Sequence, residues 1–326
     1  LASFGPQVIA EVAVLSVLIG VIAYLGVVVQ TWLLRRRDVA SLEGAARSYR
    51  VRLGRWRPWL EALAWTLIAL LLIAPLLALV ATSLVPAYGV RLTPATATLD
   101  NYVEVLIRQD VTRRAFANST LLAGGAALVL MSMALPLGYF IVWRASRVAR
   151  ALRPIIELPY ALPGVVLGVA CILIFLRPLP VVGVSLYGTL WIIFAAYLAR
   201  FLTLALTPVL AGYRQIDRAL DEAAQMDGAG LVQRLVRVVG PLLTAPAAAG
   251  ALLVFMTAYN ELTVSALLWS SGSETLGVVV FNLEDGGYTV LASAVAVLCL
   301  VAVLAIVGVL QWLDHRYRLG LLPWSA

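Results

Sequence analysis

The chain has 326 residues, 62% of them hydrophobic and only 13% charged, and its mean hydropathy is +0.96. A soluble domain of that length cannot hide so much apolar surface, so lipid must solvate part of it. The net charge of +7 comes from arginines set between apolar runs rather than along one face, a distribution that argues for membrane topology and against a nucleic-acid partner.

A hydrocarbon core of about 30 Å needs roughly 20 apolar residues as helix. Seven stretches qualify, all expected as α-helices because lipid cannot satisfy the open edges of a sheet. The first runs from Val12 to Leu34 and is followed by a basic connector bearing Arg35, Arg36, Arg37, Arg47, Arg50, Arg52, Arg55 and Arg57. Residues 1–57 thus read as an extra transmembrane helix with a cytoplasmic connector, ahead of a main membrane domain over 58–326. The chain opens on Leu1 without a basic signal-peptide region, which suggests a fragment of a longer polypeptide.

The second span covers Trp59 to Val85, and the polar segment Pro86 to Arg114 after it is expected to hold a short surface helix around Thr98 to Tyr102. The third span covers Asn118 to Trp143, the fourth Ile155 to Leu176 and the fifth Thr189 to Leu210. Leu242 to Trp269 and Thr289 to Leu313 complete the set. Pro58, Pro75, Pro136, Pro154, Pro159, Pro163, Pro208 and Pro246 lie in or beside these spans, where neighbouring helices can re-satisfy freed carbonyls. Gly164 and Gly168 form a small-xxx-small pair that permits close helix approach. Cys171 and Cys299 stand alone in apolar segments and read as small core residues. Alternate loops divide the arginines roughly 18 against five, which makes the rich side cytoplasmic and puts the C-terminus inside.

The loop from Gly212 to Pro241 on the arginine-rich side differs from the others. Ile216 to Met226 reads as a short amphipathic helix with Asp217 placed to cap it and Leu220, Ala223 and Ala224 as a low apolar face. Gly228 and Gly230 break that helix, Leu231 to Val239 starts a second, and Pro241 opens the next span at a tolerated position. A rigid helix–turn–helix beneath a membrane bundle is a docking knob that can transmit a push.

Glu222-Ala223-Ala224, three residues, Gly228, nine residues and then Val238-Val239-Gly240-Pro241 resemble the coupling loop of binding-protein-dependent ABC importers. That family carries Glu-Ala-Ala, three residues, Gly, nine residues, Ile, any residue, Leu-Pro. This chain departs at Val238 and Gly240 but keeps the spacing and the proline. Asn118-Ser119 and Leu158-Pro159-Tyr160-Ala161-Leu162-Pro163-Gly164 also resemble the family, and the likeness covers most of the chain from Trp59 onward. It implies an all-α polytopic membrane protein with a type I importer core over about 117–313. Glu222, Ala223, Ala224, Gly228, Gly230 and Pro241 would couple it to an ATPase dimer. The other implied partners are a periplasmic solute-binding protein, a second permease half and the lipid of a bacterial inner membrane.

The resemblance also bears on the solute. Tyr259-Asn260-Glu261-Leu262 and Glu274 to Asn282 are similar to stretches of ferric-iron permeases, which are commonly two halves fused in one chain. Phosphonate-type, thiamine, polyamine and sulfate-like solutes are the alternatives. An ionisable group inside a membrane costs about 2.5–3.5 kcal/mol on insertion scales, so Glu261 and Arg200 each need a partner or a wet cavity. Glu261 either lines the path, as a transient oxygen ligand, or pairs with Arg200. Tyr259, Asn260, Pro163 and Gly164 complete the candidate path. The chain lacks a Gly-rich phosphate loop ending in Lys-Ser/Thr, so ATP and Mg are expected on the partner ATPase and no cofactor on this chain. An ion-coupled transporter would show paired interrupted segments in two repeats. An intramembrane enzyme would need a catalytic constellation, and the lone His315 lies in the tail.

Overall fold

The computed structural model describes residues 54–144, 147–178 and 183–317, together with isolated helical positions between Val14 and Val29. Most of the expected first span and the connector over 35–53 lie outside the described residues. Within them every regular element is helical. Helix α1 (Arg57–Ser83) admits Pro58 in its first turn, where no backbone donor is needed, and buries only Ser83. Its apolar side chains face outward along its length, as lipid contact requires. Helix α2 (Asp100–Val103), continued by a π turn over Glu104–Arg108, is the expected surface helix. The buried Asn101 amide ties it back to the carbonyls of Ser83 and Val85 at 2.9 and 2.8 Å.

The core is three helices packed face to face: α3 (Asp110–Gly138), α6 (Leu190–Gln215) and α9 (Thr244–Tyr259). Helix α3 offers Ala115, Ala123, Ala126, Ala127 and Ala134, all buried, and α6 fills the space with Ile192, Ile193, Tyr197 and Phe201. Small residues on one partner let backbones approach where no hydrophobic gradient drives association. After Pro136 the ladder of α3 widens into a π turn at Tyr139–Trp143, closed by the Arg144 amide donating to the Tyr139 carbonyl at 3.1 Å. Helix α12 (Thr289–Tyr317) packs against α1 and against α11 (Leu276–Asp285).

One expected span is a bent pair rather than a continuous helix, and a second bend falls at the start of another. The fourth divides into α4 (Arg147–Ala161) and α5 (Gly164–Phe175), at 109° to each other. Pro163 forces the break because it disfavours helical geometry at Leu162 and itself takes ψ 140°. At 1.5 Å per residue, α5 reaches only about 18 Å. The sixth, expected from Leu242, starts at Thr244 as α9, and the loop helix Leu231–Leu242 meets it at 81°. Pro246 has no N–H for the Leu242 carbonyl and its ring crowds that group, so the ladder stops there. Helix α9 also ends ten residues earlier than expected, at Tyr259, before a turn and the short α10 (Ser265–Leu268).

Candidate functional site

The loop from Gly212 to Pro241 forms the expected hairpin. Helix α7 (Ala219–Met226) begins with the Ala219 amide donating to Asp217 Oδ1 at 2.9 Å, so Asp217 caps it from one position further out. The helix ends in a Schellman motif: Ala229 N–H reaches the Ala224 carbonyl at 3.0 Å, and Gly228 N–H the Gln225 carbonyl at 3.1 Å. Gly228 sits at φ +83°, the left-handed conformation that this motif requires. Helix α8 (Leu231–Arg234) follows and passes through a π turn (Leu235–Val239) into Gly240–Leu242, with Pro241 in that last turn. A Cβ on Gly240 would stand 2.8 Å from the Leu235 carbonyl oxygen. The departure from the family pattern at this position is therefore what the π turn demands.

Glu222 points outward and, among the described residues, pairs only with Arg218, at 3.1 Å, both more than half exposed. Ala223 is exposed, Ala224 half-buried and Gly230 exposed. Leu220, Met226, Val232 and Val236 are exposed as well, Met226 at 84%. Exposed apolar side chains are thus gathered on one hairpin, the kind of patch that interaction surfaces carry. On the inward face lies Asp221, which the sequence reading passed over. It is 4% exposed and bonded to Arg234 and to the Tyr139 hydroxyl. The available signal was an aspartate adjoining the motif with an arginine in the following helix.

The candidate path residues meet only in part. Glu261 lies in the turn beyond α9, not inside a span. Both its carboxylate oxygens are engaged: Val264 N–H donates at 2.9 and 3.1 Å, Ser265 N–H at 3.1 Å and Thr263 Oγ1 at 2.6 Å. Glu261 thus caps α10, satisfying amides that would otherwise be orphaned. Arg200 makes no ion pair with it within 4 Å among the described residues, and Arg200 Nη1 is buried without a hydrogen bond there. Arg200 instead meets Gly164 and Thr263: a Cβ on Gly164 would be 2.6 Å from Arg200 Nη1 and from Thr263 Cβ. Pro163 caps α5 at the same point. Gly168, one turn further along, faces Leu267. Tyr259 is in the core, stacked on Phe255 at 5.3 Å. Asn260 opens onto a cavity of about 610 Å³ lined also by Met256, Phe281, Glu284 and Cys299, and its Oδ1 accepts from Cys299 Sγ at 3.1 Å.

The opposite end is held by two side chains of α3. Asn118 Nδ2 donates to the carbonyls of Gly272 and Glu274 at 3.1 and 2.9 Å, and Ser119 Oγ accepts from Leu276 N–H at 2.9 Å. Glu274 is 5% exposed, with Arg114 Nε 3.7 Å away. Asn118→Ala removes both donated bonds and is expected to cost about 1–2 kcal/mol, read as a lower midpoint of thermal unfolding in detergent. Asn118→Asp should cost more, because it sets a carboxylate beside those same two carbonyls and near Glu274.

Residues 134–319 match the family described as binding-protein-dependent transport system inner membrane component. The y4fN protein of Sinorhizobium fredii, named as an ABC transporter permease, is 30% identical over 250 residues, 74% of this chain. The chain spans 44% of the length of that relative. The Fe(3+)-transport system permease protein FbpB 2 of Haemophilus influenzae is 30% identical over 52% of this chain and 32% of its own. Other similar proteins are named for trehalose/maltose and for putrescine transport. A bacterial alginate ABC transporter, solved in complex with its alginate-bound periplasmic protein, superposes with a TM-score of 0.62 at 20% identity. That match covers 81% of this chain and 98% of the solved one, and establishes the fold.

Proposed function

The chain belongs to the binding-protein-dependent transport system inner membrane components, multi-pass proteins of the bacterial inner membrane, and on that premise we propose that it forms the solute path of an ATP-driven importer. The observation that carries this reading is the hairpin Ala219–Val239. It is rigidly capped, apolar on its outer face, and spaced as Glu222-Ala223-Ala224…Gly228. The reading places an ATPase dimer beneath it, with ATP and Mg bound there, and a periplasmic solute-binding protein on the opposite face. A second permease half completes the path. Residues 58–326 form the permease domain and 1–57 an added span and connector. Binding of ATP draws the coupling helices together, and α5 and α9 rock at Pro163 and Pro246 to open access to the other side. Hydrolysis belongs to the partner, and the arginine distribution supports a cytoplasmic C-terminus.

For the solute the reading takes ferric iron, on the likeness of Tyr259-Asn260-Glu261-Leu262 and Glu274–Asn282 to ferric permeases and on the similarity to FbpB 2. Glu261 is not offered as its ligand, since its oxygens already accept four hydrogen bonds. Sparse ligation suits transit, because strong coordination would trap the ion, and selectivity then rests with the binding protein. Sugars and polyamines are the competing classes, favoured by the names of the other relatives. Uptake of radiolabelled ferric iron, maltose and putrescine, compared in cells with and without the chain, decides among them.

Orientation and docking are tested together. A Met226→Cys variant should react with an impermeant maleimide only from the cytoplasmic side, and the tagged chain should bring an ATPase subunit down with it. Labelling from the outer face overturns the reading.

A further inference from the structure

Three buried side chains from three elements converge beneath the hairpin. Asp221 of α7 and Arg234 of α8 are each 4% exposed, and Tyr139, which opens the π turn after α3, is 3% exposed. Arg234 Nη1 donates to Asp221 Oδ2 at 3.1 Å and to Gln225 Oε1 at 2.9 Å. The Tyr139 hydroxyl donates to the same Asp221 oxygen at 3.0 Å, and the guanidinium lies 6.0 Å from the Tyr139 ring centroid. The contact continues inward: Tyr139 meets Trp143 edge-on at 5.7 Å, and Trp143 meets Tyr213 of α6 at 5.0 Å. Trp143 Nε1 donates to the Tyr213 carbonyl at 3.2 Å, and the Tyr213 hydroxyl to the Leu135 carbonyl at 2.8 Å. One carboxylate oxygen therefore joins both helices of the hairpin to two of the three core helices.

Stability does not account for this choice of residues. Desolvation offsets most of the attraction in a buried ion pair, and apolar side chains of similar volume hold as well or better. Asp221 Oδ1 and Arg234 Nε are moreover buried without hydrogen bonds among the described residues, so the cluster is not even fully satisfied. An ion pair fixes direction and register, which an apolar contact does not. Two π turns flank it, Tyr139–Trp143 and Leu235–Val239. Each carries a residue beyond the α-helical count and marks a place where a helix can change register.

We infer that Asp221 is the positioning residue that carries movement of the coupling hairpin into α3, through Tyr139, with Arg234 locking the hairpin's two helices into one rigid lever. The inference rests on the docking reading of the hairpin, and it names the joint above the docking surface.

The test uses the complex that co-purifies with the tagged full chain, placed in lipid nanodiscs and trapped with ATP and vanadate. A spin label at Met226→Cys reports the hairpin's response, and a label pair at Leu128→Cys in α3 and Val309→Cys in α12 reports the membrane helices; all three native side chains are exposed. In the otherwise unaltered protein, trapping should change both signals. In Asp221→Asn the Met226 signal should still change, while the ratio of shifted to unshifted Leu128–Val309 distances falls by roughly tenfold. Tyr139→Phe keeps the ion pair and the ring and removes only the hydroxyl, so it carries the test if Asp221→Asn does not fold. It should show the same selective loss with a melting temperature lowered only as far as one lost hydrogen bond requires, and the protein still folded. A normal Met226 response with an undiminished distance shift in both variants overturns this inference alone. A Met226 label indifferent to nucleotide in the unaltered protein overturns the docking reading and the inference with it.

Discussion

Glu222→Ala combined with Gly228→Val is expected to abolish ATP-dependent uptake while leaving the chain folded in the membrane. The two changes act on different links. Glu222 is an exposed carboxylate whose pairing with Arg218 is a surface contact of little energetic weight. Its removal leaves the hairpin standing and takes a charge from the surface proposed to dock the ATPase. Gly228 acts on the backbone: its φ of +83° is where an L residue is strained, and a β-branched one most. No atom lies within 4 Å of a Cβ built there, so the penalty is conformational, about 1–2 kcal/mol, and not steric. The Schellman turn then opens, and α7 is no longer presented at its fixed angle to α8. Together these should lower uptake in right-side-out vesicles by about a hundredfold, the scale of losing interface anchors. Gly228→Asn supplies the control, since asparagine tolerates the left-handed conformation and should keep most of the uptake. Undiminished uptake in the Glu222→Ala/Gly228→Val protein removes the hairpin from the coupling mechanism.

Hydrophobic length made the straight spans legible. Trp59 to Val85 became Arg57–Ser83, and Thr289 to Leu313 became Thr289–Tyr317, because roughly 20 apolar residues admit one solution in lipid. The hairpin was legible for a different reason: a capping aspartate, an alanine face and two glycines each specify local geometry without help from distant residues. The bend at Pro163 was not, because the apolar run continues through it, and a window of hydropathy averages over a proline that turns the chain by 109°. Glu261 was misplaced by the same averaging. Its burial among apolar neighbours reads like a charge in a span, whereas it is a cap whose partners, the amides of Val264 and Ser265, appear only when the chain turns. Asp221 was hidden in plain view beside Glu222. Two adjacent acidic residues on one short helix face opposite ways, one toward solvent and one toward the core, and only the packing of Tyr139 and Arg234 says which is which.

Gly164→Ala is the second change with a large expected effect, and here the cause is steric. The added methyl falls on Thr263 Oγ1 and 2.6 Å from both Thr263 Cβ and Arg200 Nη1, inside any tolerable approach. Thr263 has little freedom to move aside, since its hydroxyl is bonded to Glu261 Oε1, and Glu261 in turn holds the amides that start α10. Relief therefore requires α5 to leave the 260–264 turn or the cap on α10 to break. Overpacking of this kind costs about 1–3 kcal/mol, so the unfolding midpoint should drop and uptake should fall by at least about tenfold. Gly124→Ala, at a position with open space around the Cβ, should leave both unchanged. Thr263→Gly added to Gly164→Ala removes two of the three nearest obstructing atoms, leaving only the flexible end of Arg200, and should restore much of the lost stability, although it gives up the hydroxyl bond to Glu261. Restored stability without restored uptake would assign the Thr263–Glu261 bond to transport itself. Restoration of both would make Gly164 a packing requirement at the point where the fourth span bends. A silent Gly164→Ala would mean that α5 and the turn beyond α9 are not in contact in the working transporter.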